Sequence, residues 1–123
     1  MDSGTLRILV VDDDADACNI LSHVIAHLGH SAECIQDSVE ALPRLLREHF
    51  DVVLLDLVMP GLSGFDLLRA THAGQERPAA VIAVSSYHEF RHQAAEQGFH
   101  AFVDKPVEIG KLRPLLDKLI PSA

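Results

Sequence analysis

Apolar positions fall along this chain in two alternating rhythms, short dense runs and longer stretches at helical spacing. Leu6 to Val11 is apolar except for Arg7, rich in branched residues, and stops at Asp12. Such a run predicts a buried central strand. Ile20, Leu21, Val24, Ile25 and Leu28 then recur with a helical period, and Gly29 marks the stop. Ser31 to Gln36 is a weaker, more polar strand suited to a sheet edge. Asp37 and Glu40 have capping-box spacing, so a helix should start there. Its apolar members are Val39, Leu42, Leu45 and Leu46, and Pro43 inside it should bend it or delay its start.

The second half repeats the rhythm. Asp51 to Leu55 is another buried strand, ending at Asp56 and followed by a Met-Pro-Gly loop. Ser63 and Asp66 form a second capping pair, opening a helix that closes near Gly74. Ala79 to Val84 is a third buried strand, ending in Ser85 and Ser86. A helix is predicted from about His88 to Gln97, stopped by Gly98, and Phe99 to Val103 is a last short strand. After Lys105-Pro106, a helix carries Ile109, Leu112, Leu115, Leu116 and Leu119 on one face. Strict alternation of five strands and five helices predicts an α/β fold, a parallel sheet with helices on both faces. The crossovers should be right-handed. No linker, repeat or low-complexity tract interrupts the pattern, so residues 1–123 read as a single domain.

Composition narrows the function. A chain of 123 residues can bury roughly two-thirds of its unfolded surface, enough for a core without staples. Ten Lys and Arg against 18 Asp and Glu give a formal charge of −8, a poor basis for gripping nucleic acid directly. The longest apolar run, Ala79 to Val84, is far too short to span a membrane, and the N-terminus is no signal peptide. Cys18 and Cys34 lack CxxC spacing and read as reduced, buried small hydrophobes in a cytoplasmic protein.

The polar residues that end the strands carry the chemistry. Strand 1 ends in Asp12, Asp13 and Asp14, strand 3 in Asp56, strand 4 in Ser85 and strand 5 in Lys105. In a doubly wound sheet, functional groups gather at the carboxyl ends of the strands. If strand 1 lies between strands 2 and 3, these residues converge on one crevice. Clustered carboxylates repel each other, and a hard divalent cation, Mg²⁺ above all, would relieve the conflict. A carboxylate beside Mg²⁺, a lysine and a hydroxyl makes a phosphoryl site, with Asp as nucleophile. Each residue also has a plainer reading. The Asp triplet could cap the first helix, Asp56 could be a turn residue, Ser85 a helix cap and Lys105 an exposed lysine. All four falling at strand ends favours the site.

Taken in order, ILVVDDD (Ile8–Asp14), DVVLLDLVMPGLSG (Asp51–Gly64), VIAVSS (Val81–Ser86) and FVDKPV (Phe102–Val107) resemble the receiver domain of two-component response regulators. The resemblance covers essentially the whole chain. It implies a flavodoxin-like (βα)5 fold with sheet order 2-1-3-4-5. It implies that Asp56 is the phosphoacceptor, taking a phosphoryl group from a sensor histidine kinase or a phosphotransfer protein. Asp12, Asp13, Asp56 and the Val58 carbonyl would hold Mg²⁺. Lys105 would pair with the phosphoryl oxygens, Pro106 would follow a cis bond, and Asp14 matches no family role. Ser85 would bind the phosphoryl group and, with Phe102, switch the surface of helix 4, strand 5 and helix 5 toward a downstream effector domain or protein. Val58 and Tyr87 fall where the family tunes phosphate lifetime; the first is apolar and the second bulky, which implies a hindered attacking water and a long-lived phosphate. The chain would assist its own phosphorylation and dephosphorylation without being an enzyme. It reads as a stand-alone receiver or the N-terminal part of a longer regulator.

Rival readings come from the histidines. His88-Glu89-Phe90-Arg91-His92 fits the HExxH signature of zinc hydrolases. Against it, Ser86 and Glu89 have capping-box spacing, and no third ligand is evident apart from His100 nearby. His23, His27 and His30 lie along or just after helix 1 and could share a metal, though a solvated helix face explains them better. Helices 4 and 5 have mixed polar faces that would suit a partner or a homodimer. A receiver fold that binds partners without being phosphorylated is the third reading; Asp13, Asp56, Ser85 and Lys105 together argue against it.

Overall fold

Dense apolar runs become strands and capped periodic stretches become helices. The computed structural model describes residues 4–74 and 76–120. Its elements are β1 (Arg7–Val11), α1 (Ala15–His27), β2 (Ser31–Ile35), α2 (Ser38–Arg47), β3 (Val52–Asp56), α3 (Gly64–Ala73), β4 (Ala80–Ser85), α4 (Arg91–Gln97), β5 (Ala101–Asp104) and α5 (Ile109–Asp117). A short 3₁₀ turn, His88–Phe90, leads into α4. The strands form one parallel sheet in the order β2-β1-β3-β4-β5.

Parallel strands buried on both faces split their side chains between two cores. Leu9, Val11, Val53, Leu55, Val81 and Ala83 pack on one face with Ala41, Leu45, Leu67, Leu68 and Ala94 of α2, α3 and α4. Ile8, Val10, Val52, Leu54, Ile82 and Val84 pack on the other with Leu21, Ile25, Leu112 and Leu116 of α1 and α5. β2 lies at the edge and is the most exposed strand, as its polarity predicts.

Side-chain caps set the starts of α1, α2 and α3. Asp14 and Asp37 accept the N–H groups of Asp16 and Val39, so Asp14 is the N-cap of α1. Ser63 and Asp66 complete a reciprocal capping box on α3. Gly98 ends α4 at φ 107°, in the left-handed region.

Four local expectations need correction. Of the two effects expected of Pro43, a delayed start does not occur, because Asp37 caps α2 six residues earlier. Ser86 caps nothing: the 3₁₀ turn starts from Tyr87 with no side-chain cap. His30 is no solvated residue, since it is buried and its Nδ1 accepts the Leu6 N–H at 3.0 Å. Cys18 and Cys34 are not free thiols but a disulfide, with Cα atoms 5.8 Å apart. Cys18 belongs to the buried face of α1 with Leu21 and Ile25, and Cys34 pairs with Val10, whose side chain faces α1.

Candidate functional site

With β1 between β2 and β3, the carboxyl ends of β1, β3, β4 and β5 meet around one crevice. Asp12 follows β1, its N–H tied to the Ile35 carbonyl at 3.1 Å and its Oδ1 accepting the Asp14 N–H at 3.0 Å. Asp56 ends β3 and is only 8% exposed. Its Oδ1 receives the Val58 N–H at 3.4 Å, which sets the Val58 main chain beside the carboxylate. One ligand atom each from Asp12, Asp13 and Asp56 lies within 4.8 Å of the others.

Lys105 crosses to these acids from the end of β5. Its Nζ donates to Asp56 Oδ2 at 3.2 Å and lies 2.7 Å from Asp12 Oδ2. The second contact is ionic: the buried Oδ2 of Asp12 accepts no directed hydrogen bond. Ser85 is fully buried at the end of β4, its Oγ accepting the Tyr87 N–H at 2.9 Å. The Ser85 carbonyl accepts the Lys105 N–H, coupling the ends of β4 and β5. The Lys105–Pro106 peptide is cis.

Charge crowding sets the protonation of the site. Burial, then the negative charge of Asp12, pushes the Asp56 carboxyl up to about 6, while Lys105 and the Val58 N–H pull the other way. Burial disfavours the Lys105 ammonium, but the two carboxylates outweigh it and hold its pKa above the usual lysine value. Three converging carboxylates make an all-oxygen donor set, which fits a hard divalent cation better than a softer metal.

Phe102 is half-buried against the core face that α4 covers. The Arg91 guanidinium sits 4.8 Å over its ring and the His88 imidazole meets it edge-on. Both residues also bind Asp104, His88 at 3.1 Å and Arg91 at 3.2 Å. Sequence reasoning missed this Asp104 latch, because it depends on β5 lying beside the 3₁₀ turn. Beside the acids, a groove of about 270 Å³ runs between α1 and the β5–α5 connection, lined by Ala17, Ile20, Leu21, Pro106 and Val107.

The histidine alternatives come apart. His88 lies in the 3₁₀ turn and turns to Asp104, while His92 lies in α4 and pairs with Glu96. His100 Nδ1 accepts the Val81 N–H, so it serves the backbone. His23 Nδ1 turns back to the Asn19 carbonyl, and His30 is buried. Among the described residues, the Asp12–Asp13–Asp56 group is the one cluster suited to a metal.

Comparison with known proteins identifies the family and the fold. A family profile of the response regulator receiver domain matches residues 8–117. The chemotaxis protein CheY-3 of Vibrio cholerae is 32% identical over 118 residues, 93% of this chain and 91% of that protein. The sensory/regulatory protein RpfC of Xanthomonas campestris is 29% identical, and the match covers 96% of this chain but only 17% of RpfC. Among solved structures, the response regulator TrrA of Thermotoga maritima, in complex with Mg(2+)-BeF, superposes with a TM-score of 0.83 at 25% identity. That alignment covers 93% of this chain and 98% of TrrA.

Proposed function

The chain belongs to the response regulator receiver-domain family, and from that premise we propose that it is a phosphoacceptor switch charged on Asp56. The observation that carries the reading is the buried Asp56 carboxylate at the end of β3, flanked by Asp12 and Asp13 on one side and held by Lys105 on the other.

Asp56 in its ionised form is the nucleophile. A carboxylate oxygen attacks the phosphorus of a phosphohistidine on a sensor kinase or phosphotransfer protein. The P–N bond breaks, a P–O bond forms, and the imidazole leaves with the electron pair and takes up a proton. Asp12, Asp13, Asp56 and the Val58 carbonyl would hold Mg²⁺, which when bound neutralises charge on the transferring phosphoryl oxygens. Lys105, already 3.2 Å from Asp56, moves with the carboxylate onto a phosphoryl oxygen. The Ser85 hydroxyl accepts the Tyr87 N–H and keeps its own proton to donate to another.

The surface change follows from the same contacts. Drawing Ser85 toward the phosphoryl group vacates space beside β5, and Phe102 moves to fill it. Arg91 and His88 lie against that ring, so its motion loosens the Asp104 latch and alters the face of α4, β5 and α5. An effector domain or protein would read that face. Val58 and Tyr87, each about half exposed two residues beyond Asp56 and Ser85, would slow the hydrolytic water and lengthen the phosphorylated state.

The test is the intact mass after incubation with Mg²⁺ and acetyl phosphate. The reading expects a gain of one phosphoryl group, lost on adding EDTA before the donor and absent in Asp56→Asn. A folded, Mg²⁺-binding protein that gains no mass would instead be a receiver fold that binds partners without phosphorylation.

A further inference from the structure

We propose that Cys18 and Cys34 form a reversible thiol–disulfide site that sets the divalent-cation affinity of the Asp12–Asp13–Asp56 cluster; the coupling rests on the cation reading above. Both cysteines lie next to the main-chain contacts of Asp12. Cys34 immediately precedes Ile35, whose carbonyl holds the Asp12 N–H. Cys18 lies one turn into α1, and its Sγ stands 3.4 Å from the Asp12 carbonyl oxygen. The oxidised pair therefore ties α1 to the edge strand β2 across the residue that begins the acidic loop.

Each redox state treats that loop differently. In the disulfide neither sulfur bears a proton, so Cys18 gives the Asp12 carbonyl no donor. The crosslink instead fixes the spacing between β2 and the start of α1, with Asp12, Asp13 and Asp14 between them. In the dithiol the crosslink is gone, and the Cys18 S–H can donate to the Asp12 carbonyl. Less freedom in the loop that supplies two of the three carboxylates favours the cation, so the oxidised form binds it more tightly.

The two cysteines differ in burial, and exchange needs only one of them to be reached. Cys18 is 3% exposed, whereas Cys34 is partly exposed on the edge strand. A small thiolate attacks Cys34 Sγ, and the protein S–S bond breaks. A mixed disulfide forms on Cys34, and Cys18 leaves as a thiolate and takes a proton. A second small thiol attacks the mixed disulfide and frees Cys34. The net change is one protein disulfide and two small thiols to one protein dithiol and one small disulfide; oxidation by a low-molecular-weight disulfide is the reverse.

The test uses the whole chain without denaturant, equilibrated with either oxidised glutathione or dithiothreitol. Maleimide mass tagging should add no label to the first form and two to the second. Calorimetric Mg²⁺ titration should show the oxidised form binding about fivefold more tightly. Cys34→Ser and Cys18→Ala should each bind alike under both treatments. The proposal is overturned by a pair that dithiothreitol cannot open in the folded protein, by equal Mg²⁺ affinities in the two forms, or by no Mg²⁺ binding in either. Failure of the phosphoacceptor reading looks different. Neither form then gains phosphoryl mass from acetyl phosphate, while a difference between the two Mg²⁺ titrations still upholds the coupling.

Discussion

Lys105 Nζ lies 2.7 Å from Asp12 Oδ2, although Lys105 follows β5 at one edge of the sheet and Asp12 follows β1 beyond two intervening strands. A lysine that reaches so far holds the acidic cluster together when no cation does. Lys105→Met would leave two buried carboxylates facing each other. In EDTA at pH 7.5 it should cost about 2 kcal/mol, below the full penalty for stranding a buried charge because Asp56 can take up a proton. It should also tighten Mg²⁺ binding, since the competing cation is gone. Urea unfolding in EDTA and Mg²⁺ titration check the two halves; a variant as stable as the parent with weaker Mg²⁺ binding contradicts this role.

Asp56 makes apo stability depend on pH. Its carboxyl titrates at about 6 in the folded protein against an ordinary value of 3.8, because burial and Asp12 oppose its charge. The folded state therefore holds this proton more tightly than the unfolded chain does. Its stabilisation is complete below pH 3.8 and is lost as pH rises through 6. A shift of this size corresponds to about 3 kcal/mol. Asp56→Asn should therefore be about 2–3 kcal/mol more stable than the parent in EDTA at pH 7.5, the gap closing toward pH 4. Urea unfolding across that range tests it, and a gap independent of pH would contradict it.

Gly64 packs directly behind the main chain of Asp56 and Leu57. A Cβ there would come within 2.5 Å of the Asp56 carbonyl oxygen and 2.9 Å of Leu57 Cα, both fixed main-chain atoms. Gly64→Ala should cost about 2–3 kcal/mol by overpacking and displace the end of β3. Its phosphorylation by acetyl phosphate should slow, although no reacting side chain has changed. Thermal unfolding and the rate of mass gain test this; a variant with parental values for both would remove Gly64 from the account.

The plan of the fold was legible because each of its signals is local. DVVLLD needs only its own composition to be a buried strand with an acid at its end, and Ser63–Asp66 needs a span of only four residues to cap a helix. The acidic cluster followed once the strand order was supplied by the family resemblance. The remainder depended on contacts that local pattern does not carry. Cys18 and Cys34 are 16 residues apart with no shared motif, and they meet only because α1 lies over both β1 and β2. The parity of Ala32 and Cys34 with the α1-facing residues of β1, set against Cys18-Leu21-Ile25, is the signal that pairs them. HEFRH read as one helix, yet Tyr87 opens a 3₁₀ turn that separates its two histidines.

His30 shows how a residue that looks like a metal ligand can be a backbone partner. Its Nδ1 accepts the Leu6 N–H at 3.0 Å in a buried setting, so the ring carries its proton on Nε2. His30→Ala leaves that N–H unpaired and should cost about 1–3 kcal/mol, with His30→Asn recovering part through its amide oxygen. Denaturant unfolding gives the cost, and long-range ¹H–¹⁵N NMR of the ring gives the tautomer. A ring protonated on Nδ1 would contradict the assignment.

Among the acids of this crevice, Asp56 is the one expected to receive the phosphoryl group. The direct measurement is borohydride trapping after incubation with Mg²⁺ and acetyl phosphate, followed by peptide mass mapping. Reduction turns an aspartyl phosphate into homoserine and leaves other aspartates unchanged. Homoserine is expected at position 56, with Asp12 and Asp13 intact. Homoserine at either of those two residues, or at none, would contradict it.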